Sequence, residues 1–165
     1  MKKNLLFAAM AVTALASCSN DDVVDVNNGG GISFRASLDR AVTRTNVTSL
    51  QNLAAFNVTA IGDGKNYFTD LGVSSADNGV NWTTASTYYW PGYELAFFAY
   101  APQAPAGTVS IDNASKKITG FSPAQAVADQ KDLVISYNTG TKAVNEGPGV
   151  AMNFKHALSQ IEVKA

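Results

Sequence analysis

The feature of this sequence that most constrains its fold is a series of short apolar runs separated by turn residues. In the runs at 32–38 and 53–61, apolar side chains recur at every second position over part of the run, which is the spacing of a strand with one buried face. Asp-Gly at 63–64 and Asn-Gly at 78–79 are turn pairs that join neighbouring strands. About ten short strands with turns between them predict an all-β fold, an antiparallel β-sandwich.

One run is a candidate for the centre of the sheet. Residues 95–100 are almost continuously apolar, which is typical of a strand buried on both faces. Pro102 ends this strand, because proline cannot donate a hydrogen bond to a neighbouring strand. Further strands are predicted at 67–68, 109–111, 118 and 133–137, the last of them closed by a turn at 138–140.

The last segment carries a strand pattern that changes phase near Ser159 and Gln160. A one-residue slip turns side chains to the opposite face of a sheet unless a bulge corrects it, so we expect a bulge or a short break there. The pattern is still running at 162–165, and we expect the complete protein to continue; a natural C-terminal edge strand is the alternative. Before the change of phase, the apolar residues of one face are Val150, Met152, Phe154 and Leu158. After it, they are Ile161 and Val163.

Composition excludes several classes of protein. The chain has 165 residues, of which 46% are hydrophobic, enough for one domain with its own core. Only 15% are charged and the formal net charge is -1, whereas nucleic-acid binding requires a basic face. Cys18 is the only cysteine and His156 the only histidine, which excludes an intrachain disulfide, a thiolate zinc site and a site with two histidines. We therefore expect neither a cofactor nor a metal.

Residues 1–17 have the pattern of a helical secretion signal. Two lysines precede an uncharged apolar stretch at 5–14, which is too short to cross a bilayer because a transmembrane helix needs about 20 residues. Small residues and then Cys18 follow, as in a lipobox. We expect signal peptidase to cut between Ser17 and Cys18 and the Cys18 thiol to carry lipid; an ordinary secretion signal with a chance cysteine is the alternative.

Residues 18–31 predict a flexible, acidic tether, because they are rich in Asp, Asn and Gly and offer little to bury. Acidic residues directly after a lipidated cysteine look like the surface-export signal of some anaerobic gut and oral bacteria. A plain solvated linker is the alternative. Several acyl chains contribute ~0.8 kcal/mol per buried CH₂, so we expect stable attachment to a membrane.

No catalytic motif is visible, and we do not expect an enzyme. The sequence has no glycine-rich phosphate loop before a helix and no nucleophile elbow. His156 lies on the strand phase of Phe154 and Leu158, which predicts a hydrogen-bonded structural histidine. Asp129 and Asp132 flank a predicted strand start, where a solvated turn is the simpler interpretation.

Four segments are informative when they are taken together. They are 32–34 with 43–45, 89–91 running into 95–102, 128–134, and 152–163. In this order and spacing they resemble the N-terminal domain of fimbrillin-family lipoproteins, which build or decorate type V pili. The likeness covers the whole chain, leader included, and rests on the ordered set because no single segment is specific.

The resemblance implies a transthyretin-like β-sandwich over residues 32–165, normally followed by a second similar domain. It implies a surface-exposed structural, anchor or accessory component of a fimbria that serves adhesion. In the family, an arginine-specific protease cuts after the first strand, and the freed groove accepts a strand from the next subunit. Arg44 is the expected cut and Arg40 the runner-up; the alternative is that both only solubilise a loop. The implied partners are the outer membrane, other fimbrial subunits, and host or bacterial surface ligands.

A surface glycan-binding module is the competing interpretation, because aromatic rings can stack on sugars. Two or more neighbouring exposed rings would favour it. Burial of Trp90 beneath the strand that carries Phe97 and Phe98 would favour the pilin interpretation, and burial is the commoner use of such rings. The candidate rings are Trp82, Tyr88, Tyr89, Trp90 and Tyr93.

Overall fold

The computed structural model describes residues 30–38, 53–105, 108–126 and 129–158, and the regular secondary structure of this part of the chain is almost all strand. The all-β prediction is therefore confirmed. The signal segment, Cys18, most of the tether, Arg40, Arg44 and the expected break at 159–160 lie outside the described residues. The elements are β1 Phe34–Leu38, β2 Ala55–Gly62, β3 Lys65–Ser74, β4 Thr83–Thr84, β5 Leu95–Ala101, β6 Ser110–Asp112, β7 Lys117–Thr119, β8 Val134–Gly140, α1 Lys142–Asn145 and β9 Val150–His156.

Seven strands form one sheet in the order β1-β9-β8-β5-β2-β3-β4, and β6 and β7 form a separate hairpin. The neighbours in the large sheet are antiparallel except β1 and β9, which run parallel. The parallel edge pair differs from the uniformly antiparallel sandwich that the sequence predicts. Alternation of side chains predicts that a segment is a strand, but it does not specify the direction of its partner.

The large sheet folds over on itself. Neighbouring strands lie about 4.8 Å apart, so β1 and β2, four positions apart in the sheet, would be ~19 Å apart if the sheet were flat. The ring centroids of Phe34 in β1 and Phe56 in β2 are only 6.1 Å apart, and Phe34 is 5.8 Å from Phe97 in β5. The β1–β9 end of the sheet therefore packs across β2 and β5, which produces the two layers of the predicted sandwich.

The core lies between these two layers. Phe56, Phe97 and Phe154 come from three different strands and are fully buried. The predicted phase of β9 is confirmed for Val150, Met152 and Phe154, which have 0% exposure while the residues between them are partly or fully exposed. It is wrong for Leu158, which lies beyond the end of β9 and does not pack in this core. Further core members are Val58, Ala60, Val73, Leu95, Ala99 and Val134.

The hairpin β6–β7 lies against the opposite face of β5. Tyr100 in β5 is buried in a second apolar cluster with Val109, Ile111 and Leu133. The other face of β5 carries Leu95 into the main core. Burial of β5 on both faces and its position between β2 and β8 confirm the predicted central strand, which ends at Ala101 directly before a cis Pro102.

The tight turns that the sequence predicts are present. Asp63 and Gly64 both have positive φ, 51° and 71°, as the two central residues of a type I′ hairpin turn require. They join β2 to β3, whose flanking pair is Gly62 with Lys65. Positive φ also occurs at residues 78–79, at the second predicted turn.

The predicted turn at 138–140 is wrong, because these residues continue β8. Asn138, Thr139 and Gly140 pair with residues 95–97 of β5. The Asn138 side chain supports this strand: its amide nitrogen donates to the Ala151 carbonyl at 2.8 Å, and its oxygen accepts from the Thr139 backbone N–H at 2.8 Å. Pairing with a long central strand outweighs the local turn preference of these residues.

Candidate functional site

The most distinctive feature of the sheet is its edge strand β1. Among the described residues β1 has one strand neighbour, β9, and the parallel register runs from Phe34 opposite Val150 to Leu38 opposite Phe154. The Ser37 hydroxyl also donates to Asn153 Oδ1 at 2.6 Å. Because β1 is terminal in the strand order, the other six strands remain contiguous without it.

Side chains of β1 alternate between the core and the solvent. Phe34 is buried, Ala36 and Leu38 are half-buried against the core, and Arg35 and Ser37 are exposed. Full burial of one large apolar side chain stabilises a fold by about 1.5–3 kcal/mol. The short strand is therefore held by its apolar side chains as well as by its backbone hydrogen bonds.

The residues before β1 have a second backbone partner. The Ile32 N–H donates to the Tyr88 carbonyl at 2.7 Å, and Gly31 forms an antiparallel bridge with Tyr89. On the other side, the Val150 N–H donates to the Ser33 carbonyl at 2.9 Å. Residues 31–38 thus form one extended segment, with buried side chains at Ile32 and Phe34, that bridges the 88–89 loop and β9.

All three arginines of the chain fall at residues 35, 40 and 44. Arg35 is exposed within β1. Arg40 and Arg44 lie outside the described residues, but their positions in the chain place them between β1 and β2. Arginine-specific cleavage at either one would separate β1 covalently from every later strand.

The single histidine is hydrogen-bonded, as the sequence predicts. His156 Nδ1 contacts Asp132 Oδ2, and the two side chains are 10% and 5% exposed. The expectation of a solvated turn is wrong for Asp132, because packing of the β8 start against the end of β9 buries its carboxylate. Asp129 is exposed, as expected.

The aromatic rings of the competing interpretation do not form an exposed pair. Trp90 is 9% exposed and meets Phe97 edge-on, with ring centroids 5.9 Å apart. Trp82 is 8% exposed and contacts Phe56. Of the five rings only Tyr89 is exposed, at 62%, so the neighbouring open faces that sugar stacking requires are not formed. Tyr88 and Tyr93 are half-buried.

Within the described ranges, no three His, Cys, Asp or Glu side chains lie close enough together to hold a metal ion. In the same part of the chain, no helix has the length and apolar character needed to cross a bilayer.

Comparison with known proteins identifies one family. The model of a family described as Fimbrillin-like matches residues 40–165. No curated protein matches the chain. Among solved structures, a crystal structure of a fimbrial protein from Bacteroides ovatus superposes with a TM-score of 0.42 and 16% sequence identity. The alignment covers 77% of this chain, which spans only 28% of the length of that protein.

Proposed function

This chain belongs to the fimbrillin-like family, and we propose that it is a component of a bacterial surface fimbria that joins its neighbours by strand exchange at β1. The match to the Fimbrillin-like family supports a fimbrial subunit and favours a structural over a catalytic role. The observation that carries the proposal is the position of β1: an edge strand with buried side chains, followed at once by the last two arginines of the chain.

Removal of β1 would leave two unsatisfied surfaces. The edge of β9 from Val150 to Phe154 would lose its parallel partner, and the rings of Phe56 and Phe97 would lose their contacts with Phe34. An extended segment from another subunit satisfies both surfaces, because its backbone pairs with β9 and its alternate side chains fill the apolar trough. A head-to-tail contact of this kind does not close, so repetition produces a filament that serves adhesion.

Processing of the chain follows the same proposal. Signal peptidase cuts between Ser17 and Cys18, and lipid on Cys18 holds the subunit at the outer membrane. An arginine-specific protease then cuts at Arg44; Arg40 is the alternative site. The β-sandwich domain begins at residue 32, and the part of it that follows the cut accepts a neighbour's strand once β1 has left.

Assembly is tested in the native host with the complete gene product and its Arg44→Ala and Arg40→Ala variants. The surface fraction is run unheated on a denaturing gel. Strand-exchanged polymers resist the detergent and appear as a heat-sensitive ladder. A ladder for the wild type and Arg40→Ala, but not for Arg44→Ala, identifies Arg44 as the cut. Monomers in all three lanes would exclude assembly by strand exchange.

Lipidation is tested separately with a Cys18→Ala variant. We expect this precursor to remain uncut and to carry no lipid, because the thiol is the acceptor of the acyl chains. Metabolic labelling with a palmitate analogue and mass spectrometry of the N-terminus measure both events. A Cys18→Ala protein that is cut normally and stays bound to the membrane would refute the assignment.

Fit of the incoming strand is tested on the purified chain after an arginine-specific protease has cut it and mild denaturation has released the β1 segment. A fluorescent peptide with the sequence of residues 31–38 stands in for the neighbour's strand, and anisotropy measures its capture. A control peptide carries Asp at the position of Phe34, and we expect it to bind at least about tenfold more weakly because a carboxylate is placed in an apolar trough. Equal binding of the two peptides would contradict insertion into the groove.

A further inference from the structure

Strand β9, whose edge would accept a neighbour's strand, pairs with different strands in its first and second halves. Residues 150–154 pair with β1, whereas β8 pairs with only Lys155 and His156, through Ile135 and Val134. Between residues 136–140 of β8 and the first half of β9, no ladder pairs are formed. The two strands are joined by ladder pairs at one end only.

Loss of β1 would therefore leave the first half of β9 without a ladder partner among the described strands. Two polar contacts would still hold the strand from the β8 side. The Asn138 amide donates to the Ala151 carbonyl at 2.8 Å, in the middle of the unpaired stretch. At the other end the His156 imidazole contacts the Asp132 carboxylate, next to a hydrogen bond from the Ala157 N–H to the Leu133 carbonyl at 2.8 Å.

We propose that Asp132, His156 and Asn138 form a β9 clamp, which keeps β9 in place as the acceptor when β1 has left. This inference rests on the proposed strand exchange. The three residues are positioning residues, since none of them lies in β1 or needs to touch the incoming strand.

The chemistry of the clamp suits this task. The Asp132 and His156 side chains are 10% exposed or less, so their contact is shielded from water and its loss is costly. The Asn138 amide donates to the Ala151 carbonyl, and Ala151 has no ladder partner in β8. The clamp thus holds Ala151 within the stretch that an incoming strand must recognise and His156 just beyond its end.

The test uses the full chain, cut by an arginine-specific protease and washed under mild denaturation to release the β1 segment. Hydrogen–deuterium exchange measures protection of the amides at 150–154 before and after release. Anisotropy measures capture of a peptide with the sequence of residues 31–38. The variants are Asp132→Asn, His156→Gln and Asn138→Ala, with Lys155→Gln, an exposed residue of the same strand, as the matched control.

We expect the uncut variants to protect residues 150–154 as well as the wild type does, because β1 still pairs with them. After release, exchange of these amides should be at least about tenfold faster in the clamp variants than in the wild type and Lys155→Gln, and peptide capture should weaken by a similar factor. The Asp132→Asn/His156→Gln double variant should be no worse than either single variant, since both remove one contact. Asn138→Ala leaves the contact between Asp132 and His156 intact. It therefore still tests the clamp if variants of the buried pair fail to fold.

Three outcomes would overturn the proposal. Released His156→Gln and Asn138→Ala chains that keep wild-type protection and capture would exclude a clamp. Protection lost already in the uncut variants, to the same extent, would show an ordinary contribution to folding. The released wild type could also fail to capture the peptide while residues 150–154 stay protected. That result would reject strand exchange and with it the role of the clamp. The exchange data distinguish it from failure of the clamp alone, in which protection of these residues is lost.

Discussion

Polar side chains hold the irregular backbone of this fold at two places. In β3, Asp70 has a positive φ of 53° where the register with β2 shifts. Its N–H donates to Thr59 Oγ1 at 3.0 Å, and its carboxylate accepts from the buried Tyr100 hydroxyl at 2.7 Å. In the turn at 75–81, the Asp77 carboxylate accepts from the Asn81 N–H at 2.8 Å. The Thr59 hydroxyl and the Asp77 carboxylate each accept from a backbone N–H in an irregular segment.

Tyr100→Phe should destabilise the fold by about 1–2 kcal/mol, because it removes the hydrogen bond to Asp70 and little volume. The pKa of Tyr100 is raised above its ordinary value of 10.0, first by burial and then by the Asp70 hydrogen bond and charge. The raised pKa means that the contribution of the neutral phenol is present below pH 10 and is lost as the pH rises further. Urea unfolding at rising pH measures both effects.

The control is Tyr137→Phe, because the Tyr137 ring is 60% exposed. We expect it to leave the unfolding free energy nearly unchanged. A Tyr100→Phe chain whose stability falls between pH 9 and 11 as steeply as that of the wild type would contradict the assignment.

Hydrogen bonds at Asp77 lower its pKa from 3.8 to about 2, chiefly through the Asn81 backbone N–H and the Ser75 hydroxyl. Since the folded pKa is depressed, the contribution of this carboxylate to stability is present above pH 3.8 and is lost as the pH falls through about 2. The carboxyl carbon of Asp77, followed by NMR, should titrate near pH 2. Asp77→Ala should flatten the acid limb of the unfolding curve; an unchanged limb would refute the assignment.

Elements of this fold depend on glycine to different degrees. Gly64, with φ +71°, lies in the β2–β3 turn, and a Cβ there would meet nothing within 4 Å. Gly120, with φ +83°, follows β7, and a Cβ there would lie 1.9 Å from the Thr108 carbonyl oxygen. Both positions need a left-handed backbone, but only Gly120 is also enclosed.

Gly64→Ala should therefore cost about 1 kcal/mol, from backbone strain alone. Gly120→Ala should cost more, because the backbone of residue 108 must move, and should loosen the β6–β7 hairpin over Tyr100. Urea unfolding measures the two costs, and hydrogen exchange at residues 110–119 locates the second. Equal costs for the two variants would show that the hairpin end is free to adjust.

At the scale of the whole molecule, the curled sheet keeps β1 bound through side chains that reach the opposite layer. Phe34 contacts aromatic rings of β2 and β5, and Ile32 is buried beside the same core. The attachment of β1 therefore does not depend on the peptide link to β2. A cut between these strands should leave the molecule folded.

Digestion of the chain with an arginine-specific protease should cut at Arg40 and Arg44 and spare Arg35, because a protease needs an extended, unpaired substrate and Arg35 is paired opposite Ala151. The N-terminal fragment should stay bound on native size exclusion and separate only on unfolding, as mass spectrometry of the fractions will show. Phe34→Ala, which removes about 3–5 kcal/mol of packing, should release the fragment. Early cleavage at Arg35 would show that β1 is open.

Sequence patterns that span only a few residues were sufficient to predict most of the strands. Alternation and turn residues predict β1, β2, β9 and the type I′ turn at 63–64, because these depend on side-chain period and on φ at one or two positions. They failed at 138–140, where β5 imposes a strand on turn-forming residues. Of the candidate site, the sequence supplied the strand at 34–38 and the hydrogen-bonded histidine.

The sequence by itself determined most of the strands, the turns at 63–64 and 78–79, and which face of those strands is apolar, since all three depend on neighbours within a few residues. Only the tertiary structure decided that β1 runs parallel to β9, that the sheet folds over so that Phe34 reaches Phe56, and that Asp132 meets His156. Those contacts join residues far apart in the chain. They depend on which edges and apolar faces remain available once the other strands have packed, and that selection is made by the whole core.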